Sequence, residues 1–355
     1  MINKNIIIVV LFFILAIISP LNATALDLGL HMDLTYDGDA GRRTTAISKA
    51  KSINAKVSRN SFLWHKIELT KGNLDWSLTD SVVNELLSAG IEPLFCIYGS
   101  PTWANGVPTT TSHYYLYVPT DENKFQDWLN NYASFVSTAV SRYKGKVKKW
   151  ELWNEENEHY FWKPKPNIDQ YIRWFQAVQS TIKSIDPTAE IALGGLAGLS
   201  YSGTDDYNGK QFLTLLYQKG ILPDIVAIHP YSSTAPDNHQ PNQNNFDDIA
   251  LINQAMIDYG QSSKPIWVTE WGWATNIVTQ KTQADWLNTS LGMIKNIYTY
   301  VLVATYFIDY DRPPTYYQGL FTSNFQPKLA ASVFSQFNPA QSSPSPPNNL
   351  TIIRN

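Results

Sequence analysis

Cysteine is almost missing from this chain: Cys96 is the only one among 355 residues. No intramolecular disulfide can form, and no cysteine metal cluster can be built. Charge is sparse as well, at 16% of residues, and 27 Lys and Arg stand against 30 Asp and Glu for a formal net charge of -3. No basic block is present to neutralise a run of phosphates, which excludes nucleic acid as a partner. The chain has six histidines, none in a metal-ligand spacing, and it lacks both HExxH and GxSxG motifs. Glycine is scarce where a nucleotide would need it, since the first apolar run, LGLHMD, offers Gly29 alone. The longest apolar run, residues 6–19, falls short of the ~20 residues a spanning helix requires.

Material for a core is plentiful: 44% of the chain is hydrophobic, and aromatics reach 13% with 12 Trp and 20 Tyr. Flat residues in such number suit both packing and stacking on sugar rings. At the N-terminus, Lys4, the apolar run, Pro20 and the small-x-small site Ala23-Thr24-Ala25 form the pattern of an export signal over residues 1–25. A secreted, extracellular protein is expected, with no stable membrane association once the signal is cleaved; an uncleaved membrane anchor is the alternative. Residues 338–355 are rich in Pro, Ser and Asn and are expected to be a flexible tail or a linker. Residues 26–337 are left as one domain, expected to be monomeric.

Within that domain, short apolar runs begin near Leu28, Ala55, Ile91, Val147, Glu190, Asp224, Pro265 and Val301. Helical patterns fall between them, for example over residues 79–89, 125–143, 170–185 and 246–259. Continuous apolar runs alternating with helices indicate parallel strands covered on both faces, and eight such units close a (β/α)8 TIM barrel. A doubly wound open sheet is the other arrangement this alternation allows, without the phosphate loop that would favour it.

In a barrel the C-terminal strand ends converge on one mouth. The eight ends carry His31 and Asp33, Arg59 and Asn60, Tyr98 followed by Pro101 and Trp103, Asn154 and Glu155, a glycine-rich stretch, His229 and Tyr231, Glu270 and Trp271, and Asp309 and Asp311. Glu155 and Glu270 end the fourth and seventh runs and face each other across such a mouth. Two opposed carboxyl groups are the minimum equipment for cleaving a glycosidic bond, one to protonate the departing oxygen and one to attack the sugar or steady its positive charge.

The residues here carry a resemblance. WELWNEEN (Trp150 to Asn157), IHPY (Ile228 to Tyr231) and WVTEWGW (Trp267 to Trp273) look like the retaining glycoside hydrolases of clan A, as do Arg59, Trp64, the KGNLDW turn after Thr70 and Ser100-Pro101-Thr102-Trp103-Ala104. Family 39 is nearest in pattern, with families 5 and 42 as neighbours. The resemblance implies Glu155 as acid/base and Glu270 as nucleophile, no cofactor, no metal, and a polysaccharide or oligosaccharide substrate. It also implies that Asn154 contacts a sugar hydroxyl. Physical reasoning adds that Arg59 and the Tyr231 hydroxyl keep Glu270 ionised while His229 and His31 belong to the same polar layer. Trp103, Trp271 and Trp273 are candidate faces for sugar rings; Trp128, Trp174 and Trp286 lie in helical patterns and are expected to pack.

Two departures from the family pattern stand out. Glu156 replaces a usual proline and, with Glu158, is expected to be a solvated loop charge. TYFIDYD, at the eighth strand, lacks a tryptophan at its end. The long segment over residues 100–123, with His113, Tyr114, Tyr115 and Tyr117, either walls the cleft or packs onto the barrel. Asp205, Asp206 and Asn208 have incomplete spacing for a calcium loop, so no metal is assigned. A glycan-binding barrel that does not cut its ligand is the alternative function. It has no need of two glutamates with an arginine and a tyrosine supporting one of them, and release of reducing ends from polysaccharides discriminates the two.

Overall fold

The computed structural model describes residues 26–36 and 38–337; the segments read as export signal and tail lie outside the described residues. Among the described residues there are eight strands: β1 (Asp27–His31), β2 (Val57–Leu63), β3 (Glu92–Tyr98), β4 (Lys149–Asn154), β5 (Glu190–Gly195), β6 (Val226–Ile228), β7 (Ile266–Val268) and β8 (Val301–Phe307). The helices are α1 (Ala40–Ser52), α2 (Trp64–Ile67), α3 (Ser77–Ala89), α4 (Thr102–Asn105), α5 (Glu122–Tyr143), α6 (Ile168–Ile185), α7 (Gly209–Gln218), α8 (Ile249–Asp258), α9 (Gln280–Asn296) and α10 (Leu329–Gln336). Short polar side chains start most of the long ones. Asp39, Asp121, Asn167, Asn208 and Thr279 each accept a hydrogen bond from a backbone N–H of the first turn. Gly90, at φ 76°, turns the chain out of α3. The helix expected over residues 246–259 is shorter, because its first residues, Phe246–Asp248, wind as a 3-10 turn.

All strand pairs are parallel, in the order β5-β4-β3-β2-β1-β8-β7-β6. The ends of that row approach each other: Leu193 N–H donates to Ile225 O (2.9 Å), and Leu196 N–H to Ala227 O (3.0 Å). The molecule is therefore a (β/α)8 barrel in one domain, and the open sheet is excluded by this β5–β6 approach. Among the described residues no helix is long and apolar enough to cross a membrane.

The barrel interior is layered. At the bottom, Lys149 of β4 meets Glu92 (2.7 Å), Glu190 (3.3 Å) and Asp27 (3.4 Å). Above them Val57, Leu94, Ala192, Ala227, Trp267 and Val303 form an apolar plug. The top layer is polar and charged. Since side chains alternate along a strand, Lys149 and Glu151 point inward while Trp150 packs outward on Phe62 and Phe95. Trp128 and Trp174 pack between strands and helices as their helical periodicity indicated.

Candidate active site

Arg59 organises the top layer. It lies on β2 opposite His31 of β1 and is 1% exposed. Its Nε and Nη2 donate to the two oxygens of Glu151 at 2.6 and 3.1 Å. Nη2 also donates to Asn154 Oδ1 (2.7 Å), and Nη1 to Glu270 Oε1 (2.5 Å). One guanidinium thus ties β2, β4 and the end of β7 together through its fixed fork of donors. Glu151 is wholly buried and was missed as a site residue; its signal was its inward register two residues beyond Lys149, a lone carboxylate amid tryptophans. Thr269 Oγ1 donates to the same Glu151 (3.0 Å).

Glu270, immediately after Thr269, accepts from the Tyr231 hydroxyl at 2.9 Å. His31 Nδ1 stands 3.3 Å from Glu270, and His31 Nε2 3.0 Å from Asp33. Burial alone would raise the Glu270 carboxyl, but His229, Arg59 and His31 together hold it well below the usual carboxylate range. For His31, burial lowers the pKa, yet Asp33 and Glu270 carry it up to about 9. Burial and Glu270 push the Tyr231 hydroxyl well above its ordinary value, so it stays a donor.

Glu155 follows β4 with a left-handed backbone (φ 49°), as does Trp153 (φ 78°) within the strand. Such strain recurs at functional sites and needs surrounding structure to sustain it. Here Trp153 is locked by Trp162 and Trp174, and Glu155 N–H donates to Gly195 O (3.1 Å). The Glu155 carboxyl meets His229 Nδ1 at 2.7 Å, while His229 Nε2 lies 3.1 Å from Thr269 Oγ1. His229 thus touches Glu155 directly. A Cβ on Gly195 would collide with His229 Nε2, so this glycine of β5 clears room for the ring.

One oxygen of Glu155, one of Glu270 and a His229 nitrogen all lie within 4.8 Å of one another. The two glutamates therefore do meet at the barrel mouth. Beside His31 and Asp33 a cavity of about 610 Å³ opens, lined by Tyr36, Arg42, Asp311 and Arg312 among others.

The three tryptophans expected to face sugar stand elsewhere. Trp271 is fully enclosed, its indole N–H donating to Ser290 Oγ and its ring set edge-on to Tyr306. Trp273 is buried against Trp286 and donates to Thr234 O. Trp103 packs edge-on to Trp64 and borders a cavity of about 220 Å³ toward α5, together with Glu68 and Asn131, apart from the Arg59 cluster. Exposed aromatic faces come instead from Tyr36, Tyr160, Tyr201 and Tyr316, each on a loop that follows a strand's C-terminal end. In the long segment over residues 100–123, Tyr115 stacks on His65 (4.1 Å) and His113 bonds the Tyr160 hydroxyl (2.8 Å).

The two acidic neighbours of Glu155 also differ from expectation. Glu158 is half-buried, and burial with the charges of Glu155 and Asp206 pushes it up to about 7. Glu156 is not solvated at all: it is 0% exposed.

Residues 64–321 match the family model described as glycosyl hydrolases family 39. In sequence the chain is similar to a β-xylosidase of Geobacillus stearothermophilus, 27% identical over 165 residues, 46% of this chain and 31% of that protein. In structure it is similar to a family 39 glycoside hydrolase from Bacteroides cellulosilyticus (TM-score 0.66, 23% identity, covering 88% of this chain and 64% of the other). It is likewise similar to a monomeric β-xylosidase from Caulobacter crescentus (TM-score 0.66, 17% identity, 87% and 67%). At these identities the structural likeness speaks to the fold. The chain spans under a third of the Geobacillus protein's length.

Proposed function

The chain belongs to glycosyl hydrolases family 39, and from that premise we propose that it cleaves β-glycosidic bonds by a retaining double displacement, with Glu155 as acid/base and Glu270 as nucleophile. The observation that carries this is the approach of the two carboxyl groups, each with an oxygen within 4.8 Å of the other. Retaining enzymes hold their carboxyls about 5–5.5 Å apart, whereas inverting ones leave about 6.5–9.5 Å for a water.

In the first step Glu155 gives its proton to the departing glycosidic oxygen while Glu270 attacks the anomeric carbon from the opposite face. Arg59, His31 and Tyr231 keep Glu270 ionised and aimed. In the second step Glu155, now a carboxylate, takes a proton from water, which displaces Glu270. His229, bonded to Glu155, fixes that carboxyl through both changes of state. Because Arg59 donates to Asn154 Oδ1, the Asn154 amide nitrogen is turned away from the arginine and is available to a sugar hydroxyl. We take an aryl β-xyloside as the first substrate to test, because two of the similar proteins are β-xylosidases. Residues 1–25 are proposed as a cleaved export signal, which N-terminal sequencing of the secreted protein tests.

The mechanism is tested with azide. Glu155→Ala should still be glycosylated by nitrophenyl glycosides, whose leaving group departs unprotonated, and added azide should restore turnover to give a β-glycosyl azide. Glu270→Ala with azide should give the α-anomer. The same anomer from both variants sinks the assignment.

A further inference from the structure

Glu156 follows Glu155 in the chain but turns into the protein, and neither of its carboxyl oxygens has a hydrogen-bond partner. The space it fills is left by β5, where a Cβ on Gly194 would collide with Glu156 Oε2. Facing it are Glu151 of β4, Glu155 of its own loop, Cys96 of β3 and Tyr171 of α6. His229, beyond Gly195, is engaged by Glu155 and Thr269. None of the facing groups supplies a positive charge. The Tyr171 hydroxyl donates its one proton to Leu152 O (3.1 Å) and accepts from Gly194 N–H (3.4 Å). With that proton on Leu152 O it has a lone pair left for a protonated Glu156, and it serves an ionised one only by giving up Leu152 O. An unpartnered carboxylate in such a place is costly to bury. Burial is the largest influence and outweighs the opposing pull of its own backbone N–H and of the nearby Tyr171 hydroxyl; with Glu151 and Glu155 adding to it, Glu156 is pushed up to about 8.

The loop around it is fixed on both sides. Glu155 N–H is bonded to Gly195 O, while Asn157, also wholly buried, donates to Ala197 O (2.9 Å) and Tyr207 O (2.8 Å) and accepts from Ala197 N–H (3.1 Å). Glu156 is the residue between these anchors whose charge can change. We propose that Glu156 is a positioning residue: as a neutral carboxylic acid it seats the loop that carries Glu155 against β5, and loss of its proton to solvent unseats Glu155 and switches the site off. The kinetic part of this rests on the acid/base reading of Glu155; the neutral, seated carboxyl does not.

Two measurements on the full chain decide it, with Glu156→Gln as the variant that keeps the shape and cannot ionise. The first is kcat on a dinitrophenyl β-xyloside, where loss of the leaving group needs no acid and turnover is limited by attack of water on the glycosyl-enzyme. That step uses Glu155 as a carboxylate, so loss of the Glu155 proton does not impair it, and His31, at about 9, titrates alike in parent and variant. The parent should lose kcat from about pH 8, and the variant should hold it to higher pH, until the His31 they share titrates. Superimposable profiles overturn the proposal. The second is the unfolding temperature of both proteins, without substrate, from about pH 5 to about pH 9. The native state keeps a proton that the unfolded chain releases between 4.5 and about 8, so the parent's stability falls as pH rises through that window and levels above it. The variant-minus-parent difference should therefore widen across the window; a difference independent of pH overturns the proposal. If Glu156→Gln does not fold, Glu156→Met gives the same non-titrating comparison. Should no glycoside be hydrolysed, the glycosidase reading fails, and the unfolding series still decides whether Glu156 is the neutral seat.

Discussion

Replacing Arg59 with Met removes the guanidinium while keeping most of the side chain's length. Glu151, wholly buried, would lose both of its short bonds (2.6 and 3.1 Å) and keep the Thr269 hydroxyl at 3.0 Å. Glu270 would lose its 2.5 Å partner but retain Tyr231 and the two histidines. The energetic cost is therefore dominated by Glu151. Breaking one side of a buried ion pair costs about 3–5 kcal/mol, because the remaining charge is left without compensation. For a domain of this size that corresponds to a fall of roughly 5–8 °C in unfolding temperature. Arg59→Met combined with Glu151→Gln removes the orphaned charge and should recover about half of the loss or more. Hydrolysis should not recover, since Glu270 still lacks its arginine. The assay is a double-mutant cycle by denaturant unfolding, with activity measured on the same preparations. A single-variant cost under about 1 kcal/mol, the range of exposed pairs, would refute the view that Arg59 holds the layer together, as would a double variant no more stable than Arg59→Met.

Other outcomes follow from the same geometry. Tyr231→Phe removes one hydrogen bond to an ionised carboxylate, about 1.5–3 kcal/mol, so kcat/KM should drop about 10- to 100-fold with the fold intact; an unchanged kcat/KM would show that the hydroxyl does not support Glu270. Gly195→Ala places a Cβ against His229 and Glu151 and should give a less stable protein with little activity, measurable together by unfolding and steady-state assays. Trp271→Ala should cost about 3–5 kcal/mol as a cavity in the core, while Trp103→Ala should leave KM for oligosaccharides unchanged. A rise in KM confined to longer substrates in either variant would restore the tryptophan to the cleft.

The strand runs, their alternation with helices and the polar residues at their ends were legible in the sequence, because each depends on a local period or on position relative to a strand's end. That was enough to bring Arg59, Asn154, Glu155, His229, Tyr231 and Glu270 to one mouth. Local pattern does not say which side chains from distant strands share a volume. Glu151 lay in plain view between tryptophans, but its role came only when closure of the barrel set Arg59 and Thr269 beside it. Glu156 read as a solvated charge because nothing near it in sequence reveals that Gly194, on the next strand, lacks the Cβ that would exclude it. Trp271 and Trp273 follow the seventh strand as a cleft residue would, yet their rings turn to α9, where Ser290 and Trp286 receive them. Strand ends are encoded by neighbours along the chain; burial, charge state and the direction of a large ring are decided by neighbours across the barrel, which only the closed tertiary structure brings into contact.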